Sequence, residues 1–495
     1  MRARVGTPEL VPRKVTCTIW CDQALNLAWG ALAGCCQAVH TGLPRRPGRV
    51  VRPFSPWLSG GLAALMLQGT PGLVATAAAA ALPVHRTLRE PQMRVLVGGG
   101  DSVLLRADRR SSLQVQGLGK GVIKLSRLTL RRHRGRLLVE APELASQLSA
   151  PRSGLVVRSS DPRGIWLGQH RYGGDLHLTL REGRIEVVNH LGVEAYLASV
   201  VGSEMPQDWP LAALQAQAVA ARTYALRQRG RAGAFDVSAT VTNQVYQGLA
   251  SATPRTRLAV ESTRSLVLVH RGKLINAVFH SSSGGATEPS GEVWRFQLPY
   301  LVSVRDHDQR SPAHRWTQRF DAQTLRAAFA ETRGLQSLDV LESSSTGRLR
   351  SVRVRGPAGH LVISGRELRR RLGLKSTMVR FNWLTDTEAA STRSGDDALI
   401  GFRRETSAWG AAASAPFSLP PPPPPPMPAG MPVLEVQGRG YGHGVGMSQW
   451  GARGLADQGA DFRRILEHYY RGVTIRPYLP GDDPAMASHP QPRPA

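Results

Sequence analysis

A single acidic residue in an apolar stretch, Val200-Val201-Gly202-Ser203-Glu204-Met205-Pro206, is the group in this chain most suited to chemistry. Between Val200, Val201 and Met205 the Glu204 carboxyl is expected to lose part of its hydration. Desolvation disfavours the charged form, so its pKa should rise and it should hold the proton that a general acid donates. The bland alternative is a helix-capping or ion-pairing glutamate. Arg222 lies one heptad after Gln215 in an Ala-rich stretch, so the two share a helical face. An arginine on a core-facing turn there implies a fixed partner, either Glu204 or a substrate carboxylate, unless it faces solvent. Gln244 and Tyr246, and Ser282 in a serine-glycine run, are polar groups of the type that line sugar clefts. Each alone is equally well a turn or core group. His443 stands among alternate glycines in Gly440-Tyr441-Gly442-His443-Gly444, where backbone can pass close to another surface and an unperturbed imidazole titrates near neutrality. A place on a cleft wall is expected for it, with closure of the domain by hydrogen bonds as the rival role. These glycines form no GxGxxG fingerprint and no GK[ST] follows, which disfavours nucleotide binding.

The elements that must carry these groups follow from hydrophobic periodicity. From Met93 to about Val188, short apolar alternations such as Leu176-His177-Leu178-Thr179-Leu180 predict strands. Arg181-Glu182-Gly183-Arg184 has hairpin-turn chemistry. Helical spacing over Gly192–Val201 predicts one helix. Asp208 as N-cap, with Pro210 in the first turn, predicts a second helix running to about Arg229, and Glu204 falls in the break between them. Ser265–His270 and Lys273–His280, joined at Arg271-Gly272, read as a hairpin. Residues 385–430 have no periodicity and contain a proline run, the pattern of a disordered linker. After it come the apolar alternation Val433-Leu434-Glu435-Val436, the Gly-rich segment and a helix from about Asp461 to Arg471.

Composition bounds the function. The chain has 495 residues, 41% of them hydrophobic, enough for two or three domains with a sizeable core. A formal net charge of +27 attracts anionic polymers. Zinc-finger spacing, RNP-like aromatic runs and basic heptads are all missing, so nucleic acid is not expected as the partner. The carboxylate-bearing peptidoglycan sacculus would be attracted equally well. Cys17, Cys21, Cys35 and Cys36 all precede an apolar segment at 57–82 that has arginines before it and an alanine run at its end. That is the layout of a signal peptide, or of a membrane anchor if it is retained, and it implies export. Residues 1–56 before it read as a leader, a start-site artefact in our reading.

Three segments together resemble the family of stage II sporulation protein D and the amidase enhancers. They are residues 200–226 (VVGSEMPQDWPLAALQAQAVAARTYAL), 279–294 (FHSSSGGATEPSGEVW) and 438–452 (GRGYGHGVGMSQWGA), in the family's order and spacing. The resemblance implies a bacterial cell-envelope protein whose partners are peptidoglycan glycan strands and, for the enhancer branch, a cell-wall amidase. It implies Glu204 as catalytic acid of a lytic transglycosylase acting on strands stripped of stem peptides. Such an enzyme uses the muramic acid 6-hydroxyl as nucleophile, so one carboxyl suffices where hydrolytic glycosidases usually need two. Arg222, Gln215, Gln244, Tyr246, Ser282 and His443 are then the expected substrate-binding residues. The rival implication is a non-enzymatic binder that activates an amidase. Some members bind zinc through a Cys, His, Cys cluster; the matching positions here are Ser238, Thr242 and Asn243, so neither metal nor cofactor is expected, and side-chain hydrogen bonds should replace the metal. The expected fold is α+β, a mostly antiparallel β framework with the Glu204-to-Arg229 helical segment packed on it and the Gly-rich motif closing a cleft. The expected domains are a β-rich region at 90–187, a sporulation-protein-like domain at 188–384 and 431–478, and a disordered tail at 479–495.

Overall fold

The computed structural model describes residues 90–384 and 433–483, apart from positions 109, 152, 231, 232 and 241. The leader, the segment at 57–82, the four cysteines and the linker at 385–430 lie outside these residues. Among the described residues no helix is long and apolar enough to cross a membrane.

The alternating N-terminal part forms two sheets that share one core. The larger has strand order Val237–Ser238, Gln92–Gly100, Arg184–Gly192, Asp175–Arg181, Leu155–Ser159, Leu113–Gln116, Val122–Leu125. A six-stranded sheet centred on Ser102–Arg106 and Arg127–His133 packs against it. Successive side chains point to opposite faces, so Leu176, Leu178, Ile185 and Val187 of one sheet meet Val103, Leu105, Leu128 and Leu130 of the other in a single hydrophobic cluster. The hairpin at Arg181–Arg184 forms as expected, with Glu182 at φ 47° and Gly183 at φ 76° in the left-handed region that a two-residue turn needs. Apart from the two-residue parallel pairings of Val95 and Leu96 with Val237 and Ser238, and of Phe279 and His280 with Met447 and Ser448, the pairings among the described strands are antiparallel. With the helices added, the architecture is the expected α+β.

Helix α1 (Val193–Glu204) leaves the end of strand Arg184–Gly192 directly, and α2 (Leu211–Gln228) packs on it. Two expectations need correction. Glu204 does not fall in a break: it is the last residue of α1, which stops because Met205 precedes Pro206 and so takes an extended conformation (φ −133°, ψ 142°). Asp208 does not cap α2; Pro210 holds the N-cap position and no side chain bonds the first turn. Helix α3 (Pro254–Glu261) follows, with Thr253 and Thr256 in a reciprocal capping box. The hairpin at Arg271-Gly272 is present, but its second arm is only Lys273–Leu274. Phe279–His280 instead pairs in parallel with Met447–Ser448 from the Gly-rich segment. Periodicity predicted one long arm because both pieces are apolar; tertiary pairing divides it.

Residues between Ala313 and Val379, with Leu434 and Val436, build a second core that the sequence did not separate. It contains the short helices α5 (Ala322–Ala328) and α6 (Gly365–Leu372), whereas Val293 of the short α4 (Ser290–Val293) packs against the first core. Strand Val433–Gly438 enters between Trp316–Phe320 and Val379–Leu384, which explains why its apolar residues are buried on both faces. Helices α7 (Gln449–Asp457) and α8 (Phe462–Tyr469) complete the first core. Of the tail expected to be disordered at 479–495, the described residues are ordered: Pro480–Asp482 form a turn, Asp482 pairs with Arg476 at 2.7 Å, and Asp483 pairs with Arg229; positions 484–495 lie outside the described residues.

Candidate functional site

Glu204 ends α1, where helix carbonyls point outward and a negative charge is unwelcome. Its Oε1 accepts the Val245 N–H at 2.9 Å and its Oε2 accepts the Gln449 amide at 3.1 Å. Burial pushes its pKa above the ordinary carboxylate range, against the two hydrogen bonds, which favour the charged form. No ion pair with a cation forms at this carboxyl among the described residues. The group is therefore partly exposed, biased toward its proton and held by neutral donors, the state of a carboxyl that can give a proton and take it back.

The loop that supplies the Val245 N–H is pegged by its neighbours. Gln244 donates to the Ala221 carbonyl at 3.2 Å and accepts from the Tyr196 hydroxyl at 3.0 Å, and the Tyr246 hydroxyl donates to Asn189 at 2.8 Å. Both side chains are buried, at 0% and 3% exposure. In this extended stretch Gln244 and Tyr246 turn into the core and leave Val245 between them toward Glu204. Further back, Ser238 donates through its N–H and its hydroxyl to Asn243 Oδ1, both at 2.9 Å, and Asn243 donates to the Tyr224 hydroxyl at 3.1 Å. Thr242 adds a weaker bond, its N–H to Thr240 at 3.4 Å. Hydrogen bonds thus hold the loop at the three positions where a metal cluster was considered. Among the described residues no group of three or more His, Cys, Asp or Glu is placed to hold a metal ion.

Gln449 arrives from the other end of the chain. Ser448 caps α7 through its hydroxyl, and Gln449 is the first residue of that helix, with its side chain free to reach Glu204. The parallel pairing of Phe279–His280 with Met447–Ser448, and the bond from Trp450 N–H to the Ser281 carbonyl at 3.0 Å, join the second and third sequence segments beneath the first. Trp450 meets Trp209 edge-on at 4.8 Å, and the Arg453 guanidinium lies over both rings at 5.1 and 5.3 Å. Sequence reasoning missed Gln449, Val245 and this aromatic pair. A neutral amide and a backbone N–H carry no titration signal, although Gln449 lies within the segment 438–452.

The remaining sequence-predicted residues are placed elsewhere. Arg222 has no exposure and does not meet Glu204. Its Nε and Nη2 grip the Glu194 carboxylate at 3.0 and 2.6 Å, and its other donors reach the Leu266 and Val260 carbonyls. With its guanidinium so engaged, it has no surface to offer a substrate. Gln215 on the same face donates to Ser262 at the end of α3, at 2.9 Å. Ser282, fully buried, donates to Asp308 at 2.5 Å, beside Gly284 N–H and His314 on the same carboxylate, while Ser283 bonds Asp306, which Tyr469 also reaches. The serine-glycine loop is a scaffold knot. His443 accepts the Val445 N–H at 3.0 Å through Nδ1, and its ring lies 5.4 Å from those of His280 and Trp294. Burial, with His280 and Arg348 nearby, holds its pKa well below the usual imidazole range, so it stays neutral. Of the two roles considered for His443, these contacts match hydrogen-bonded closure.

Residues 181–270 match the profile of the stage II sporulation protein family. The chain is 30% identical over 315 residues to stage II sporulation protein D of Bacillus subtilis, covering 58% of this chain and 75% of that protein. It is 31% identical over 306 residues to the amidase enhancer of Bacillus subtilis, covering 57% of this chain and 40% of the enhancer. An uncharacterised protein of Brachyspira hyodysenteriae is 29% identical over 336 residues, covering 67% of this chain and 79% of the relative.

Proposed function

The chain belongs to the stage II sporulation protein D family, and from that premise we propose that it is an exported cell-wall protein that cleaves peptidoglycan glycan strands through Glu204. The carrying observation is the state of that carboxyl: raised in pKa by burial, bonded by the neutral donors Val245 N–H and Gln449, and free of a salt bridge. Protonated Glu204 gives its proton to the glycosidic oxygen as the bond from that oxygen to muramic acid C1 breaks. The resulting carboxylate takes the proton of the muramic acid 6-hydroxyl, whose oxygen bonds to C1 and closes a 1,6-anhydro ring. Glu204 ends the cycle protonated as it began, since one proton leaves with the departing sugar and one arrives from the 6-hydroxyl. No water and no second carboxylate enter the balance, in contrast to hydrolysis.

Gln449 suits this cycle. Val245 N–H occupies Oε1, so the mobile proton belongs on Oε2, where the Gln449 amide can donate to the carboxylate or, rotated, accept from the acid. The test is incubation of purified full-length protein with denuded glycan strands and mass analysis for anhydro-muramic ends. Wild type should release them, and Glu204→Gln should bind the strands but release none.

The likeness to the amidase enhancer supports a second reading, in which the chain binds the wall and stimulates an amidase without cutting glycan. Wild-type protein that releases no anhydro ends, yet accelerates an amidase to the same extent as the Glu204→Gln variant does, decides for that reading.

A further inference from the structure

Arg271 at φ 50° and Gly272 at φ 76° make the two-residue reversal of the hairpin after α3 and carry Arg271 and Lys273 into solvent near the end of α2. With Arg227 and His270 they line a cavity of about 430 Å³ that, among the described residues, no carboxylate lines. The Arg227 guanidinium is fixed at its wall by a bond to the Leu274 carbonyl at 2.6 Å, and the His270 ring leans on Tyr300 at 5.5 Å. Other arginines stand beside acids, Arg158 with Asp175 at 2.8 Å and Arg371 with Glu331 at 2.9 Å among them. Gathering cations without a counter-charge costs stability, which an anionic ligand would offset. The remaining wall is apolar: Pro299 and the edges of Leu274 and Tyr300.

We propose that this cavity binds the free lactyl carboxylate of a muramic acid residue on a glycan strand, at a distance from Glu204; the proposal rests on peptidoglycan being the polymer bound. The lactyl group joins one carboxylate to one methyl, matching a wall that is cationic on one side and apolar on the other. A phosphodiester would use the cations and leave the apolar wall empty. When a stem peptide is attached, this carboxylate is an amide and carries no charge, so the cavity favours stripped strands.

The short connection between α1 and α2, and the Glu194–Arg222 pair, make the helices antiparallel. Glu204 to Glu194, then Arg222 to Arg227, adds up to about 22 Å at a rise of 1.5 Å per residue. The cavity is therefore a second point of attachment, apart from Glu204.

The experiment titrates purified full-length protein, at fixed low salt, with denuded strands, with the same strands after conversion of the lactyl carboxyls to methylamides, and with poly(glycerol phosphate). Arg271→Asn with Lys273→Ser removes two exposed charges and keeps a residue that tolerates the left-handed turn. The melting temperature should not change. Affinity for denuded strands should fall about tenfold, wild type should lose the same factor on methylamidated strands, and the variant should treat the two strands alike. Lys273→Glu alone should lower affinity in the same direction. Equal wild-type binding to both strand types overturns the proposal, as does unchanged affinity in the double variant. Binding of poly(glycerol phosphate) as tight as that of denuded strands, lost in the variant, also overturns it. Release of anhydro ends, followed in parallel, keeps the readings apart: carboxylate-dependent binding without turnover sinks only the catalytic reading, and turnover without that dependence sinks only this one.

Discussion

Helix α1 carries a carboxylate near each end, and the two have opposite fates. Glu194, in the first turn, is 8% exposed and gripped by the Arg222 guanidinium with help from the Ser265 N–H. Glu204, in the last turn, meets among the described residues only the neutral donors Val245 and Gln449, and burial pushes it toward its protonated form. A first-turn acid gains from the helix dipole; a last-turn acid is opposed by it. A buried acid gripped by a bidentate guanidinium is a structural lock. A partly exposed carboxyl without a cation is free to change state. Glu194 would hold the helices together while Glu204 does the proposed chemistry.

The comparison can be broken from either end. Glu204→Gln should lower anhydro-end release by about a thousandfold or more while the denaturant midpoint stays within error. A comparable loss of stability would make Glu204 another lock. Arg222→Ala should leave Glu194 charged and unpaired in the core and cost about 3–5 kcal/mol of unfolding free energy, read from urea denaturation. The paired change Arg222→Met with Glu194→Leu should recover much of it; if the single change is nearly neutral, the lock is misread. Gln449→Leu removes a donor that favours the charged form of Glu204, so the alkaline limb of the rate profile should move up by about one pH unit or less, with a smaller change in binding. An unmoved limb would assign Gln449 to packing alone.

The smallest expected effect concerns acid stability. Burial and Arg348 lower the His280 pKa to about 3, and His443 is also depressed. Unfolded imidazoles take protons below about pH 6.5, whereas folded His280 does so only near 3, so stability should fall as pH falls through that window. Glu204 acts in the opposite sense: its raised folded pKa stabilises the fold at acid pH, and that contribution is lost as pH rises through the folded value. Burial also holds His177, His190 and His468 below the usual imidazole range, so five histidines act against this glutamate; the melting temperature should decline on acidification from about pH 6.5 to 4, and His280→Gln should flatten part of the decline.

Much of the site was legible in part. Glu204 was found because an acid among Val200, Val201 and Met205 is unusual by type, and the expected direction of its pKa agrees with its surroundings. For Arg222 the sequence offers Glu204 or a substrate carboxylate as partner, whereas the guanidinium meets Glu194. Glu194 lies on another helix, and periodicity ranks faces without saying which face meets which residue. Gln244 and Tyr246 looked like cleft groups because polar side chains line clefts and pin loops with the same hydrogen bonds. The second core was invisible, since the strand that completes it, Val433–Gly438, returns after a long separation in sequence.

By itself the sequence determined the local periods: alternating strands, the Ala-rich helix, the turns at Glu182-Gly183 and Arg271-Gly272, and an acid set between apolar neighbours. These depend on side-chain chemistry and on spacings of two and 3.6 residues, which are local properties. Tertiary structure alone decided that Phe279–His280 leaves its hairpin for Met447–Ser448, that this pairing brings Gln449 to Glu204, and that Glu194 takes Arg222. Those are choices among long-range partners of similar chemistry, and they are settled by how the whole core closes.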